Sequence, residues 1–255
     1  MELREIGESG IKLSALGLGC WQFSKNTGYG GKFWPTISND NTTQIVQKAL
    51  EHKVNWFDTA ELYGWGKSEE SLSLSLQKLK INSSSNFIAT KWWPLFRNAQ
   101  SIKNTIDKRL YFLKGYPITL HQVHMPYGFS SIEKEMNMMA DLVEEGKIKH
   151  VGVSNFNKGQ MQELQSLGLA PIAANQFQYN PFAPSWRHDV FDFCQKNNIA
   201  VTAWASLAGT MMETSKILNV DVLKGIAEKY NKRVASILLR WPLQLGASVI
   251  PGSGN

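Results

Sequence analysis

Cysteine is scarce in this chain: Cys20 and Cys194 are the two present among 255 residues. They have neither the number nor the spacing of a disulfide framework or a cysteine-rich metal site. Long hydrophobic runs are absent too, since no run reaches the roughly 18 apolar residues of a membrane span, and the first residues carry no signal-peptide pattern. We therefore expect a cytoplasmic protein with no membrane span, in which the sequons at Asn41 and Asn82 are not glycosylated.

Positive charge is in modest excess but is not clustered. The formal net charge is +6 and the isoelectric point is near 9.2, yet Lys and Arg are scattered without a basic run. A nucleic-acid-binding surface normally concentrates such charge, so we expect no nucleic-acid partner. A phosphate-bearing small molecule is the more economical anionic partner. A hydrophobic content of 43% with 19% charged residues is typical of a globular protein with a sizeable core.

A complete dinucleotide-binding fingerprint is also missing. Glycines cluster at 17–19 and 28–31, but neither cluster completes the G-x-G-x-x-G spacing, and no helix is predicted directly after either. This absence argues against a Rossmann-type phosphate loop.

Apolar runs and helical patterns alternate eight times along the chain, with no linker between them. Strands are predicted at 13–20, 56–58, 86–92, 118–125, 151–155, 173–179, 199–207 and 249–252. Helices are predicted at 42–53, 68–80, 99–114, 131–147, 157–169, 186–197, 221–230 and 234–245. This alternation is typical of a (β/α)8 TIM barrel formed by one domain, residues 1–255, and such barrels use about 250 residues. A doubly wound open sheet is the alternative.

The stretch at 55–70, NWFDTAELYGWGKSEE, combines a strand end, a loop and a helix start. Asp58 follows the apolar Trp56-Phe57, and Ser68 before two glutamates has the pattern of a helix N-cap. An acid and a phenol, Asp58 and Tyr63, therefore stand five positions apart at a strand mouth, where they can form a proton-donating site. The alternative is that Asp58 caps a turn and Tyr63 packs.

The carboxyl ends of the strands carry polar side chains around the whole predicted barrel, where this fold places catalytic groups. In chain order these are Asp58, Tyr63, Lys91, His124, Ser154, Asn155, Gln176, Trp204, Ser206, Gly252 and Ser253. Each one alone has an ordinary packing explanation. Their convergence on one rim favours an active site.

Two other barrel chemistries lack their residues. His121 and His124 stand three apart on a strand and face opposite sides, so they cannot share a metal ion, and we expect no metal site. Glycoside hydrolysis needs two carboxylates, but strands four and seven end in His124 and Ala205-Ser206. What remains is Tyr, Lys, His and Asp, the set needed to protonate a carbonyl oxygen.

Seven segments resemble the aldo-keto reductase family, in the family's order. They are FDTAELYG (57–64), ATK (89–91), QVHMP (122–126), GVSNF (152–156), NQFQYN (175–180), AWASLAG (203–209) and VIPGS (249–253). The resemblance implies an oxidoreductase that uses NADP(H) to reduce small-molecule aldehydes or ketones to alcohols by hydride transfer. It also implies a catalytic tetrad of Asp58, Tyr63, Lys91 and His124, with Tyr63 as proton donor.

The same resemblance implies a cofactor site. Ser154, Asn155 and Gln176 would hold the nicotinamide carboxamide, with Trp204 stacked on the ring. The remaining expected cofactor contacts are Ser206 and Leu207 at the pyrophosphate, with Gly252 and Ser253 at the last strand. Trp21 and His124 are the expected substrate contacts. Trp65 and Trp92 are further candidate pocket walls, for which ordinary packing is the open alternative.

The chemistry of these residue types agrees with the resemblance. Hydride addition to a carbonyl carbon builds negative charge on the oxygen, and a tyrosine with a reference pKa near 10 holds a proton to give it. A neighbouring ammonium, Lys91, stabilises the tyrosinate, and two pKa units are worth roughly 2.7 kcal/mol. Asp58 keeps that ammonium charged, and neutral His124 orients the carbonyl.

Three departures from the family pattern affect these expectations. Met125 and Trp204 stand where many relatives carry an aromatic residue and a tyrosine. The family continues past the eighth strand into a helix and a tail that contacts the adenosine 2′-phosphate, whereas this sequence ends at Asn255. We expect a barrel lacking that helix, whose burial of four large side chains is worth roughly 6–12 kcal/mol. The preference for NADP over NAD then rests on the resemblance and the net charge.

Two alternatives to the reductase stay open. One is a regulatory subunit of the same fold that binds the cofactor and turns over slowly or not at all. The other is a folded relic without activity. No pattern in the sequence predicts an oligomeric state.

Overall fold

Ten short strands form the framework of the protein. A computed structural model gives their positions within residues 1–182, 186–207 and 216–254, apart from the side chains of Tyr29 and Trp186. The strands are β1 (Leu3–Glu5), β2 (Lys12–Ser14), β3 (Leu18–Gly19), β4 (Trp56–Asp58), β5 (Phe87–Trp92), β6 (Ile118–Val123), β7 (Ile148–Ser154), β8 (Ile172–Gln178), β9 (Ala200–Trp204) and β10 (Ser248–Val249). Strands β3 to β10 pair in parallel with their neighbours in sequence order.

The first and last strands of this sheet meet, so the sheet closes on itself. The backbone N–H of Gly17 donates to the Val249 carbonyl at 2.8 Å, and the N–H of Gly19 donates to the Pro251 carbonyl at 3.0 Å. A parallel bridge also joins Gly19 to Gly252. Closure of eight parallel strands with intervening helices is the architecture of a (β/α)8 barrel. The predicted fold class is confirmed.

Helices connect the strands and cover the outside of the barrel. They are α1 (Gly28–Gly31), α2 (Asn39–Glu51), α3 (Lys67–Lys78), α4 (Gln100–Leu113), α5 (Ile132–Glu144), α6 (Lys158–Ser166), α7 (Trp186–Lys196), α8 (Asp221–Lys229) and α9 (Val234–Gln244). Side-chain caps begin several of them: the Ser38 and Ser131 hydroxyls accept backbone N–H groups, and Asn157 with Gln160 forms a capping box. Among the described residues, no helix is long and apolar enough to cross a membrane.

Apolar side chains fill two regions of the barrel. The larger region lies between the sheet and the helices, and strand residues such as Ile88 and Trp92 point into it. A smaller region inside the barrel contains Ala89 and Leu120 together with Ile6 of the β1–β2 hairpin, which closes the amino end. Side chains alternate between these two regions along each strand. Position 91 therefore shares the barrel interior with position 89.

A buried ion pair joins two helices to the sheet. Arg109 of α4 lies 3.2 Å from a carboxylate oxygen of Glu69 in α3, and both side chains are almost fully buried. The other Glu69 oxygen accepts a hydrogen bond from the Thr90 hydroxyl at 2.6 Å. Burial raises the pKa of Glu69 to about 7, although the Arg109 guanidinium acts in the opposite direction. Burial and the same guanidinium lower the pKa of the adjacent His121 to about 3.

The helix α3 begins differently from the prediction. Gly66, not Ser68, is its N-cap residue, with φ of 101° in the left-handed region, and a Cβ there would lie 2.2 Å from the Phe112 ring. The Ser68 hydroxyl donates instead to the Cys20 carbonyl at 2.6 Å and accepts from Thr59 at 2.8 Å. The predicted Ser68 cap is therefore wrong, because this hydroxyl ties α3 to the ends of two strands.

The first and the seventh predicted strands also need correction. Positions 13–20 are divided between β2, which pairs antiparallel with β1, and β3 of the barrel. A Cβ at Gly17 between them would lie 2.3 Å from the Trp56 ring, so close packing interrupts the run. The seventh predicted strand ends at Trp204, with Ser206 and Leu207 in a turn. Residues 208, 209 and 255 lie outside the described residues.

A buried glutamate on α5 makes stability depend on pH. Glu135 is almost fully buried, one of its carboxylate oxygens has no hydrogen-bond partner among the described residues, and burial raises its pKa to about 7. The folded state therefore binds this proton more tightly than the unfolded state, and the stability that it contributes is lost as pH rises through about 7.

We expect Glu135→Gln to melt at a higher temperature than the wild type at about pH 8.5, with the difference shrinking toward about pH 5. Thermal unfolding across this pH range measures it, and Glu133→Gln, on the exposed face of the same helix, is the matched control. A Glu135→Gln profile parallel to that of the wild type would contradict the burial argument.

Candidate active site

Three neighbouring strands bring an acid, a lysine and a histidine to one end of the barrel. Asp58 is the last residue of β4, Lys91 lies near the end of β5, and His124 directly follows β6. Because β4, β5 and β6 are adjacent and parallel, their carboxyl ends share one rim. This end is opposite the end closed by the β1–β2 hairpin.

Lys91 and Asp58 form a buried ion pair. Lys91 Nζ lies 2.5 Å from Asp58 Oδ1, and the two side chains are 0% and 2% exposed. The ammonium also donates to the Thr59 carbonyl at 2.9 Å. Burial lowers the pKa of Lys91, but the charges of Asp58 and Tyr63 and their hydrogen bonds outweigh burial, so that the pKa is raised above its usual value. Lys91 is therefore held as an ammonium.

The Tyr63 ring lies beside this ammonium. Lys91 Nζ is 5.1 Å from the centre of the ring, and the ring stacks on Trp21 with centroids 5.6 Å apart and planes 20° apart. Burial raises the pKa of the phenol above its usual value, and the Lys91 charge opposes that rise. The sequence indicates a lysine beside this phenol but not the burial of the phenol. The structure shows that burial outweighs the lysine charge, so Tyr63 holds its proton firmly.

His124 is neutral at the centre of this aromatic group. Its ring lies edge-on to Tyr63, with centroids 5.8 Å apart, and edge-on to Trp93, with centroids 5.3 Å apart. Burial, followed by the Lys91 charge, lowers the pKa of His124 well below its usual value. Its Nδ1 is buried without a hydrogen-bond partner among the described residues. A neutral imidazole in this position can donate one N–H to a ligand.

Asn155 connects the end of β6 to the ends of β7 and β9. It has a left-handed φ of 63°, and its amide nitrogen donates to the His124 carbonyl at 3.2 Å and to Ser154 Oγ at 3.0 Å. Its amide oxygen accepts from the Trp204 indole N–H at 3.1 Å. The structure thus brings the predicted residues Ser154, Asn155 and Trp204 into contact with one another and with the segment that carries His124.

Gln176 contacts the ion pair. Its amide nitrogen donates to Asp58 Oδ2 at 2.7 Å, so that both carboxylate oxygens of Asp58 are occupied, one by Lys91 and one by Gln176. The Gln176 nitrogen therefore supports Asp58, and the expected contact of this amide with a carboxamide stays a prediction. No signal in the sequence could have paired residues 118 positions apart.

The other expected cofactor residues lie at the ends of β9 and β10. The Ser206 hydroxyl donates to the Ala203 carbonyl at 3.3 Å, and Leu207 follows it in the turn. Gly252 lies beside Gly19, and a Cβ at Gly252 would be 2.2 Å from the Gln22 amide. Gly252 is exposed and its neighbour here is the end of the flexible Gln22 side chain, and half-buried Ser253 follows it.

The tryptophan walls differ from those expected. Trp92 is fully buried under α4, with its indole donating to Ser101 Oγ at 3.0 Å, so its assignment to the pocket is wrong. Trp65, the other candidate wall, is 43% exposed. Trp93, which sequence reasoning missed, faces His124. Its position two residues after Lys91 was the available signal, since alternate strand residues share a side.

This rim fits a flat amide-bearing ring. Ser154 and Asn155 present donors and acceptors at the end of β7, as a carboxamide requires. The half-buried Trp204 presents an aromatic surface at the end of β9, held by its bond to Asn155. The described residues contain no cluster of three or more His, Cys, Asp or Glu side chains that could hold a metal ion.

The chain is thus a closed eight-stranded α/β barrel with Lys, Asp, Tyr and His side chains gathered at its carboxyl mouth. The model of the Aldo/keto reductase family matches residues 15–255 of this chain. The chain belongs to the aldo/keto reductase family.

Individual relatives agree with this assignment. NADPH-dependent D-xylose reductase of Meyerozyma guilliermondii is 26% identical over 282 residues, covering 97% of this chain and 84% of that protein. Glyoxal reductase of Bacillus subtilis is 29% identical over 218 residues, covering 85% of this chain and 75% of that protein. The solved structure of the thermostable aldo-keto reductase Tm1743 with the inhibitor epalrestat has a TM-score of 0.85 and 27% identity, covering 100% of this chain and 90% of that one.

Proposed function

We propose that this protein is an NADPH-dependent oxidoreductase that reduces small-molecule aldehydes or ketones to alcohols, with Tyr63 as the proton donor. One observation carries the proposal: the buried Lys91–Asp58 pair lies beside both Tyr63 and a neutral His124 at the mouth of a barrel. The reductases to which the chain is similar support the same reaction class.

The chain's own residues would control the proton. His124 donates an N–H to the carbonyl oxygen and orients it, and the Tyr63 hydroxyl gives that oxygen its proton as negative charge develops. The Lys91 ammonium stabilises the resulting tyrosinate, while Asp58 and Gln176 hold the ammonium in place. A bound nicotinamide supplies the hydride in such a reaction.

The cofactor would be held at the next strand ends. Ser154, Asn155 and Gln176 bind the carboxamide, and the Trp204 indole stacks on the ring. Gln176 would use its amide oxygen, since its amide nitrogen donates to Asp58. The remaining proposed contacts, along the pyrophosphate and at the last strand, are Ser206, Leu207, Gly252 and Ser253. The net charge of +6 favours the extra phosphate of NADPH over NADH. We further propose one domain over residues 1–255 and a cytoplasmic location.

Turnover with a reactive aldehyde tests the proposal. Purified protein mixed with NADPH and para-nitrobenzaldehyde is expected to consume the cofactor and release the alcohol in equal amounts, and NADH is expected to support a slower reaction. Quenching of tryptophan fluorescence by NADPH without product would favour the regulatory subunit instead. Absence of both signals would refute cofactor binding as well as reduction.

A further inference from the structure

A buried acid in the site region has no part in the proposed mechanism. Glu61, in the loop after β4, is only 4% exposed. Its Oε2 accepts a hydrogen bond from the backbone N–H of Trp93 at 3.1 Å, and its Oε1 accepts one from Arg97 Nη1 at 2.8 Å. Its own backbone N–H donates to the Lys91 carbonyl at 3.0 Å. Glu61 thus connects the loop after β4 to the loop after β5.

The loop after β5, residues 93–99, is held from its other side as well. The Arg97 carbonyl accepts the backbone N–H of Phe129 at 2.8 Å, and the Ala99 N–H donates to Ser130 Oγ at 2.9 Å. Both partners belong to the loop after β6. The 93–99 loop is therefore fixed between Glu61 and residues 129–130, and Glu61 contacts it with both oxygens of one carboxylate.

This loop carries the aromatic side chains that face the site mouth. Trp93 is half-buried, and its ring lies edge-on to His124 at 5.3 Å. Farther out, Phe96 of the same loop meets Phe129 edge-on at 6.2 Å, and these two side chains are 76% and 72% exposed. A ring-bearing molecule that reached His124 would therefore find aromatic surfaces both at the site and at its entrance.

We propose that Glu61 is a positioning residue: through its ion pair with Arg97 and its hydrogen bond from the Trp93 N–H, it fixes Trp93 beside His124 as a wall that favours carbonyl substrates bearing an aromatic ring. The substrate preference rests on the proposed reductase function. The position of Trp93 rests on the Glu61 contacts alone. A carboxylate accepts both bonds at once with its two oxygens, whereas an amide in its place has one acceptor oxygen and an NH2 group that repels the second donor, so the paired hold on Trp93 N–H and Arg97 is broken.

Glu61→Gln tests the wall without changing the size of the side chain. We expect faster hydrogen exchange at the Trp93 amide and a KM for para-nitrobenzaldehyde raised about tenfold, the order of one lost aromatic contact. The KM for propanal, which has no ring, and the affinity for NADPH are expected to stay near their wild-type values. Asp40→Asn is the control, since it breaks an exposed ion pair with Lys78 and makes the same change in net charge.

Arg97→Gln provides a second variant, because it removes the ion pair from the partly exposed partner while Glu61 keeps its hydrogen bond from the Trp93 N–H. We expect the same rise in the KM for para-nitrobenzaldehyde without a rise for propanal, and a smaller increase in hydrogen exchange at the Trp93 amide. Equal KM changes for the two aldehydes, or unchanged exchange at Trp93 in both variants, would overturn the inference. If the wild type reduces neither aldehyde, the proposed function fails, and with it the substrate part of the inference. The exchange result then still decides whether Glu61 holds Trp93.

Discussion

Replacing Tyr63 by Phe is expected to lower kcat for aldehyde reduction by about 10²–10⁴-fold, the usual contribution of a positioned proton donor. The phenyl ring can keep the stack on Trp21 and the position beside the Lys91 ammonium, since neither contact uses the hydroxyl. The substitution removes the hydroxyl group, whose proton burial holds in place by raising the pKa of the phenol. Affinity for NADPH is expected to change little, because the proposed cofactor contacts lie at the ends of β7 to β10 and do not include the Tyr63 hydroxyl.

Two measurements separate this role from general damage. Single-turnover kinetics report the chemical step, and titration of tryptophan fluorescence with NADPH reports cofactor binding. Tyr111→Phe, which removes a hydroxyl from a side chain that is 70% exposed on α4, is the control and should behave as the wild type. Parallel losses of turnover and cofactor affinity in Tyr63→Phe would count against the assigned role.

The largest expected effect on stability comes from Arg109→Met. Removing the guanidinium leaves the Glu69 carboxyl buried with Thr90 as its remaining described partner, and breaking a buried ion pair from one side costs about 3–5 kcal/mol of unfolding free energy. Arg109 also packs over the Phe112 ring at 5.5 Å, a contact that methionine replaces only in part. Denaturant unfolding near neutral pH measures the loss.

The pH dependence identifies the cause of that loss. The folded-state pKa of Glu69 is raised to about 7, so the stability linked to its proton is present at acid pH and is lost as pH rises through that value. Without Arg109, which lowers this pKa, the carboxyl should bind its proton more tightly still. The destabilisation of Arg109→Met should therefore be largest above neutral pH and shrink in acid.

A double variant completes this test. Adding Glu69→Gln to Arg109→Met removes the charge left without a partner, and we expect it to recover most of the lost stability at alkaline pH. A loss that is the same at every pH, or that the second substitution deepens, would show that packing and not the charge is responsible.

The order of the elements was predictable because each barrel unit is built locally. Apolar residues at alternate positions, such as Ile118 and Leu120, give a strand, and helical spacing at Ile102, Ile106 and Leu113 gives the buried side of α4. The N-terminal hairpin and the start of α3 were not predictable in the same way. Gly17 packs against the Trp56 ring and Gly66 packs against the Phe112 ring, so closely that a larger side chain would clash. In both cases the ring is distant in sequence.

The candidate site divides along the same line. Asp58, Lys91 and His124 were placed together because the fold sends the ends of adjacent strands to one rim. The bond from Gln176 to Asp58 and the hold of Glu61 on the 93–99 loop join residues from different parts of the chain, and no local pattern marks them. Burial of the Tyr63 phenol, which sets its pKa, is likewise a property of the folded surroundings.

The central claim is that this barrel mouth passes a hydride and a proton to the same carbonyl group. Incubation of the protein with para-nitrobenzaldehyde and NADPH carrying deuterium on the transferable position tests it, with mass spectrometry of the alcohol as the readout. The account predicts one deuterium on the carbinol carbon with the wild type and a product level near background with Tyr63→Phe. An alcohol without deuterium, or equal amounts of product from both proteins, would contradict it.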